Sequence, residues 1–284
     1  MTVSTDLQCG RFNLDLSRPK IMGILNVTPN SFSDGGRYNA VDRAVARAEL
    51  MLKEGADLLD IGGESTRPGS QAVEDEEEIR RVLPVLKALH SLNVPLSVDT
   101  MKTEVMRAAI EGGVDLINDI NALSAPGAME VVAPSQAAVC LMHMQGLPRT
   151  MQQAPCYENV VNEVGEYLTE RADAALAAGI DRSRIILDPG FGFGKKQSHN
   201  LALFDGLSHL IKLEYPLLVG VSRKTMLGEL TGRPLGERQV ASVAAALLAV
   251  ERGARVVRVH DVAATRDALK VWEGLGANRE RTTA

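Results

Sequence analysis

Eight short apolar runs, each followed by an amphipathic stretch, recur along nearly the whole chain and leave few folds open. They span 21–27, 57–63, 95–100, 115–120, 137–144, 184–190, 216–222 and 255–261. Most are rich in β-branched residues and continuous rather than alternating, the pattern of parallel strands buried on both faces. Between them, apolar residues recur at helical spacing. Val41, Val45, Ala48 and Leu52 form one stripe, and Ile79, Val82, Leu86 and Leu89 a second. Val161, Val164, Leu168 and Ala172 form a third, and Val240, Val243, Leu247 and Val250 a fourth. Gly55, Gly112, Gly113, Gly179 and Gly253 stand just ahead of strands, where helices stop.

Eight strand–helix units is the number that closes a (β/α)8 TIM barrel. The 284 residues suit a single domain of that kind, with the barrel proper over roughly 20–276. An open doubly wound sheet would place a G-x-G-x-x-G turn after the first strand, and that position reads Asn26-Val27-Thr28-Pro29-Asn30. Ahead of the first strand, Phe12-Asn13-Leu14-Asp15-Leu16 alternates apolar and polar, which predicts a hairpin strand capping the barrel bottom.

A net charge of −5 gives no bulk reason to bind nucleic acid or a membrane surface, so any bound anion must be held by local groups. The three cysteines, Cys9, Cys140 and Cys156, contain no C-x-x-C, so neither a disulfide framework nor a zinc site is expected. No apolar stretch is long enough for a membrane span, no leader is visible, and the expected compartment is the cytoplasm.

Barrel enzymes work at the C-terminal ends of their strands. In chain order those ends carry Asn26, then Glu64 to Arg67, Asp99, Asn118 with Asp119, His143, Asp188, Ser222-Arg223-Lys224, and finally Arg258, His260 and Asp261. Every end is polar while the strands themselves read as apolar, which argues for one shared site. Asp99, Asn118 and Asp188 suit a planar ligand edge with adjacent N–H donors, because a carboxylate can accept two such bonds at once. Arg67, Lys224, Arg258 and His260 suit a phosphate or diphosphate. Asn26 offers a neutral oxygen to a hard cation such as Mg²⁺. The residues alone therefore point to a nitrogen heterocycle carrying a diphosphate.

The loops at 28–36 and 64–70 are rich in Gly, Pro and Ser, and each carries charge, as lids over a barrel mouth do. Asp188-Pro189-Gly190-Phe191-Gly192-Phe193-Gly194-Lys195 lacks P-loop spacing and reads as the sixth-strand loop, its glycines permitting close approach to a flat ligand. His143 reads either as a ligand contact or as a satisfied histidine at the pocket floor. Glu74 to Glu78 is explained by a helix start, and Cys140 by the core.

Longer motifs add a resemblance. They are Met22-Gly23-Ile24-Leu25-Asn26-Val27-Thr28-Pro29, Ser31-Phe32-Ser33-Asp34-Gly35-Gly36 and Asp60-Ile61-Gly62-Gly63-Glu64-Ser65-Thr66-Arg67-Pro68-Gly69. Ser97-Val98-Asp99-Thr100, Ile117-Asn118-Asp119-Ile120, the 187–195 run, Gly220-Val221-Ser222-Arg223-Lys224 and Arg258-Val259-His260-Asp261 follow in order. Over nearly its whole length the chain resembles the dihydropteroate synthase family, pterin-binding barrels that join a pterin diphosphate to 4-aminobenzoate. The resemblance implies a pterin slot of Asp99, Asn118, Asp188 and Lys224. It implies a diphosphate site of Thr66, Arg67, Arg258 and His260, with Asn26 on Mg²⁺, and counts Val259 among the substrate-binding residues. It places 4-aminobenzoate near Phe32, Pro68 and Ser222, and gives Asp34, Arg67, Asp99 and Lys224 catalytic roles. It further implies a homodimer and a sulfonamide target. Asn30 stands where the family usually has Asp. A methyltetrahydrofolate-binding methyltransferase domain would share the Asp–Asn–Asp slot without needing the cationic residues, and a degraded pterin-binding protein would not keep them.

Overall fold

The computed structural model of the chain describes residues 6–28, 37–65 and 72–276. β1 (Asp6–Cys9) and β2 (Phe12–Asp15) pair as an antiparallel hairpin. Eight further strands form one parallel sheet: β3 (Lys20–Asn26), β4 (Leu58–Gly62), β5 (Leu96–Asp99), β6 (Leu116–Asp119), β7 (Ala138–Met142), β8 (Ile185–Asp188), β9 (Leu218–Val219) and β10 (Val256–Val259). All eight sequence-predicted runs contain a strand; seven are trimmed by a residue or more at each end, and the first is shifted one residue towards the N-terminus. The order is β8-β7-β6-β5-β4-β3-β10-β9. Its two edges meet where the Leu187 N–H donates to the Pro216 carbonyl at 3.0 Å, so the sheet closes into a barrel.

The outer layer contains α1 (Arg37–Glu54), α2 (Asp75–Leu89), α3 (Thr103–Glu111), α4 (Ala128–Val132), α5 (Val160–Ala177), α6 (Gln197–Asp205), α7 (Leu207–Leu210), α8 (Thr225–Thr231), α9 (Gln239–Glu251) and α10 (Val262–Gly276). Outward strand residues such as Leu59, Ile61, Val98, Ile117, Leu187 and Val257 pack on these helices as one large core.

Inward residues recur with the period of two that a strand imposes. Met22, Leu58, Leu116, Ala138, Ile186, Leu218 and Val256 fill the barrel floor together with Leu7, Cys9 and Leu16 beneath them. Two positions further along β4, β6, β8 and β10, the same face carries Asp60, Asn118, Asp188 and Arg258. The strands are thus apolar outside and at the floor but polar inside near the top. The sequence reading of almost wholly apolar strand interiors meets its exceptions at Asp60 and Ser97, which face each other in register, both fully buried.

The hairpin seals the floor, as its alternation predicts. Arg11 pairs with Asp115 at 2.9 Å, and Asp115 also accepts the Leu96 N–H at 3.0 Å. Gly10 turns there at φ +56°, where a Cβ would stand 2.5 Å from Asp115 Oδ1, so both conformation and space call for glycine.

One helical stripe departs from expectation. In α9 the buried face is Ser242, Ala245, Ala246, Ala249 and Val250, while Val240 is 81% exposed and Leu248 43%. This helix is apolar nearly all round, so spacing could not select its face. The face that is buried is the one made mostly of small side chains.

Candidate active site

The C-terminal ends of the strands gather the predicted polar residues around one mouth. Asp99 closes β5, Asn118 lies in β6 and Asp188 closes β8. Asp99 Oδ2 accepts from Arg258 Nη2 at 2.7 Å, while its Oδ1 is buried without a protein partner. Asn118 Nδ2 donates to Asp60 Oδ2 at 3.1 Å. Asp188 Oδ1 accepts the Gly190 N–H at 2.7 Å, which fixes the carboxylate at the start of the loop. Asn26 and Asp99 flank Gly62: a Cβ there would lie 3.5 Å from Asn26 Oδ1 and 4.0 Å from Asp99 Oδ2.

The cations arrive from β9 and β10. Lys224 follows β9 at the N-cap of α8, donates to the Phe191 carbonyl and sits 4.6 Å from the Phe193 ring centroid. Arg258 Nε donates to Asp60 at 2.6 Å, so its guanidinium bridges β4 and β5. Ser222 Oγ and His260 Nδ1 lie 3.0 Å apart. Arg223, at φ +59°, forms a two-point pair with Asp261 at 3.0 and 2.6 Å, joining the loop after β9 to the end of β10. Val259 is placed differently: its buried side chain belongs to the outer core between sheet and helices.

Burial sets the electrostatics. It pushes the Asp99 carboxyl up to about 7, against the opposing charge of Arg258 and with the Asp60, Glu78 and Asp119 carboxylates adding to it. It raises Asp188 too, Lys224 and the Gly190 N–H opposing. It lowers Lys224 to about 8, with Asp188 opposing. For Arg258, burial is outweighed by Asp60 and Asp99, so the guanidinium is held more firmly protonated. The mouth therefore holds acids and a base tuned towards neutrality, as functional sites often do.

His143 is a satisfied histidine. Its Nδ1 lies 2.9 Å from Nζ of the buried Lys195, which donates to the Gly190 and Phe193 carbonyls at 2.9 and 3.1 Å, and burial pushes the Lys195 pKa well down. Lys195 is thus the post around which the 190–194 loop folds. Gly190, at φ +68°, runs so close to His143 that a Cβ would meet its carbonyl oxygen at 1.9 Å. Lys102 binds Glu64 at 2.6 Å, Glu78 at 2.7 Å and the Val73 carbonyl at 2.5 Å, tying residues on either side of segment 66–71. Asn30, Phe32, Asp34, Thr66, Arg67 and Pro68 lie outside the described residues.

Sequence reasoning gave no role to Asp60, Lys195 or Lys102, because it looked for chemistry only at the strand ends, and it named Arg223 there without its partner Asp261. For Asp60 a signal existed: a carboxylate inside Leu-Leu-Asp-Ile-Gly, a run otherwise apolar, must be paired or pay heavily for burial.

Against this geometry, the comparisons with known proteins agree. The family model described as pterin binding enzyme matches residues 22–260. The dihydropteroate synthase of Neisseria meningitidis serogroup B is 56% identical over 278 residues, covering 95% of this chain and 98% of the relative. That of Escherichia coli K12 is 49% identical, covering 94% and 95%. Among solved structures, Xanthomonas albilineans dihydropteroate synthase with 4-aminobenzoic acid superposes with a TM-score of 0.91 at 54% identity, covering 96% of this chain and 99% of that one. Burkholderia cenocepacia dihydropteroate synthase complexed with 7,8-dihydropteroate gives 0.89 at 50% identity, covering 99% and 100%. A closed parallel barrel, an Asp–Asn–Asp edge beside a cationic rim, and this likeness over almost every residue lead to one assignment: the chain belongs to the dihydropteroate synthase family of pterin-binding enzymes.

Proposed function

We propose that the chain joins (7,8-dihydropterin-6-yl)methyl diphosphate to 4-aminobenzoate, giving 7,8-dihydropteroate and diphosphate. The carrying observation is the single mouth that sets Asp99, Asn118 and Asp188 beside Lys224, Arg258 and His260. The first three accept from a planar N–H edge, and the others receive a diphosphate.

The reaction breaks the bond between the exocyclic CH₂ and the diphosphate oxygen, and the electron pair leaves with diphosphate. An aromatic amine is a weak nucleophile, and no described residue is placed as a strong base to activate it. We therefore order the steps with departure first. Asp99 and Asp188 stabilise the positive charge that develops on the pterin, and Arg258 and His260 the charge on the leaving group. The amine nitrogen then bonds to the CH₂, and the resulting anilinium is acidic enough to lose its proton to water or diphosphate. The segments 28–36 and 64–70 would admit 4-aminobenzoate and exclude water, which would trap the cation as an alcohol. In that scheme Phe32, Pro68 and Ser222 contact the amine substrate, and Asp34, Thr66 and Arg67 act from the two loops. Diphosphate release from the pterin substrate, followed with and without 4-aminobenzoate, tests the order. Slow release without the amine is expected, and a strict requirement for the amine would reverse the order.

Among the described residues no group of three or more His, Cys, Asp or Glu is arranged to hold a metal. The donor set at Asn26 is one neutral oxygen beside a carboxylate. That fits a Mg²⁺ ion carried by the diphosphate and its own waters, with Asn26 as its protein ligand. When bound, such an ion neutralises charge on the leaving group.

We further infer a homodimer. Leu230, Leu235, Val240, Leu248, Val271 and Leu275 are between 43% and 81% exposed, and they lie on or beside α8, α9 and α10. Apolar surface on three neighbouring helices marks an interface, and a second copy is the commonest occupant. Sedimentation of the wild-type chain is expected to give twice the monomer mass, and Val240→Glu half of that; a wild-type monomer at micromolar concentration overturns this. The three cysteines are unpaired, in keeping with a reducing cytoplasm. A Yersinia pestis relative is solved as a sulfonamide drug complex, and sulfonamide binding at this mouth belongs to the same reading.

A further inference from the structure

Among the described residues, Asp60 is the one carboxylate of the barrel interior that the reaction scheme above leaves without a task. It sits in the middle of β4 with no exposed surface. Its two oxygens take three donors from three other strands. Oδ1 accepts from Ser97 Oγ on β5 at 2.5 Å. Oδ2 accepts from Asn118 Nδ2 on β6 at 3.1 Å and from Arg258 Nε on β10 at 2.6 Å. Two of those donors belong to the site: Asn118 faces the pterin and Arg258 the diphosphate.

A purely structural role explains this poorly. Burying a carboxylate costs several kcal/mol before pairing, and apolar residues of similar volume are often as stable or more so. The barrel uses that cheaper solution one layer below, with Met22, Leu58, Leu116, Ala138, Ile186, Leu218 and Val256. The acid appears only where inward residues begin to face the ligand.

The carboxylate also settles a choice that Asn118 cannot make alone. A buried amide can present either its oxygen or its nitrogen to a ligand. An ionised carboxylate only accepts, so the Asn118 nitrogen must turn towards Asp60 and its oxygen towards the mouth. The oxygen can then accept from an N–H of the heterocycle, next to the acceptors of Asp99 and Asp188. Through the same Oδ2, Asp60 grips Nε of Arg258 and leaves the far side of the guanidinium on Asp99. The arginine is thereby held at the boundary between the heterocycle and its diphosphate.

We propose that Asp60 is a positioning residue for the substitution, fixing the Asn118 amide with its oxygen towards the pterin, while Asp99 by itself suffices to hold Arg258 at the diphosphate. This rests on the pterin reading of the mouth given above.

The test uses two probes that each occupy half of the site, 6-hydroxymethyl-7,8-dihydropterin and inorganic diphosphate with Mg²⁺, titrated calorimetrically into the full-length protein. Asp60→Asn keeps size and shape, frees the Asn118 amide to turn, and removes one negative charge from beside Arg258. Dihydropterin affinity is expected to fall about tenfold, the upper end for loss of one neutral hydrogen bond. Inorganic diphosphate is expected to bind as well as before, or more tightly. In turnover, KM for the pterin diphosphate should rise while KM for 4-aminobenzoate stays level. The exchanged pair Asp60→Asn/Asn118→Asp, which restores donor facing acceptor, should recover part of the dihydropterin affinity. A merely structural residue would weaken both probes in parallel. Parallel loss, or no loss of either, overturns the inference. Ser97→Ala carries the test should Asp60→Asn not fold: it keeps the charge but lets the carboxylate rotate. An approximately threefold loss for dihydropterin alone is expected, and unchanged affinity overturns the proposal. If the wild-type protein binds no dihydropterin, the reading of the site fails instead.

Discussion

Asp188→Ala is expected to abolish measurable binding of the pterin substrate. The carboxylate closes β8, is buried, and is held by the Gly190 N–H at 2.7 Å, so it waits in place for a ligand edge. Two charge-assisted hydrogen bonds from adjacent N–H donors contribute about 1.5–3 kcal/mol each. Their loss corresponds to a weakening of on the order of a hundredfold or more. Alanine also strands the Gly190 N–H, so the 190–194 loop loses its first fixed point. Calorimetry with the dihydropterin alcohol measures the effect directly, and thermal unfolding in parallel shows that the barrel persists. Pterin affinity equal to wild type would remove Asp188 from the slot and the slot from this mouth.

Arg258→Ala is expected to cost both stability and activity, and to move a pH limb. The guanidinium bridges Asp60, with no exposed surface, and Asp99. Removing it leaves a buried carboxylate without its counter-charge, for which about 3–5 kcal/mol is typical. Urea unfolding near neutral pH measures that loss. The sign of the pH effect follows from Asp99. Burial already lifts its folded-state pKa to about 7, with Arg258 opposing, well above the value of about 3.9 for an exposed aspartate. Folded protein therefore holds that proton more tightly than unfolded chain. Asp99 contributes stability below about pH 4, and the contribution is lost as pH rises towards 7. Without Arg258 the folded pKa rises further, so the window of loss extends above pH 7. The acid limb of turnover, which requires ionised Asp99, should shift to higher pH in the same variant. A profile that keeps its acid limb would separate Asp99 from that limb, and a stability equal to wild type would show that the pair is not the charge balance of the mouth.

Both variants act on residues that the sequence already exposed, and the reason is geometric. A closed parallel barrel sends every strand's C-terminal end to one face. Once eight apolar runs are counted, Asp99, Asn118, Asp188 and Arg258 must converge wherever the helices pack. The pairing inside the mouth was not legible in that way. Arg258 reads as a phosphate ligand in sequence, yet the folded chain ties it to Asp60 and Asp99, residues 198 and 159 positions away. Linear order carries no record of such partners. Val259 shows the complementary limit: it shares a motif with Arg258 and His260, but one step along a strand reverses the direction of a side chain.

By itself the sequence determined the barrel, the hairpin beneath it and the set of polar strand ends. Those follow from local rules: strand length, the helical period, and glycine where helices stop. Only the tertiary structure decided which face of α9 is buried, that His143 is occupied by Lys195, and that Asp60 stands under the mouth with three donors upon it. Each depends on which strands become neighbours when the sheet curls shut. That closure brings β4, β5, β6 and β10 to one carboxylate, and the cost of burying its charge is met only by groups that closure delivers.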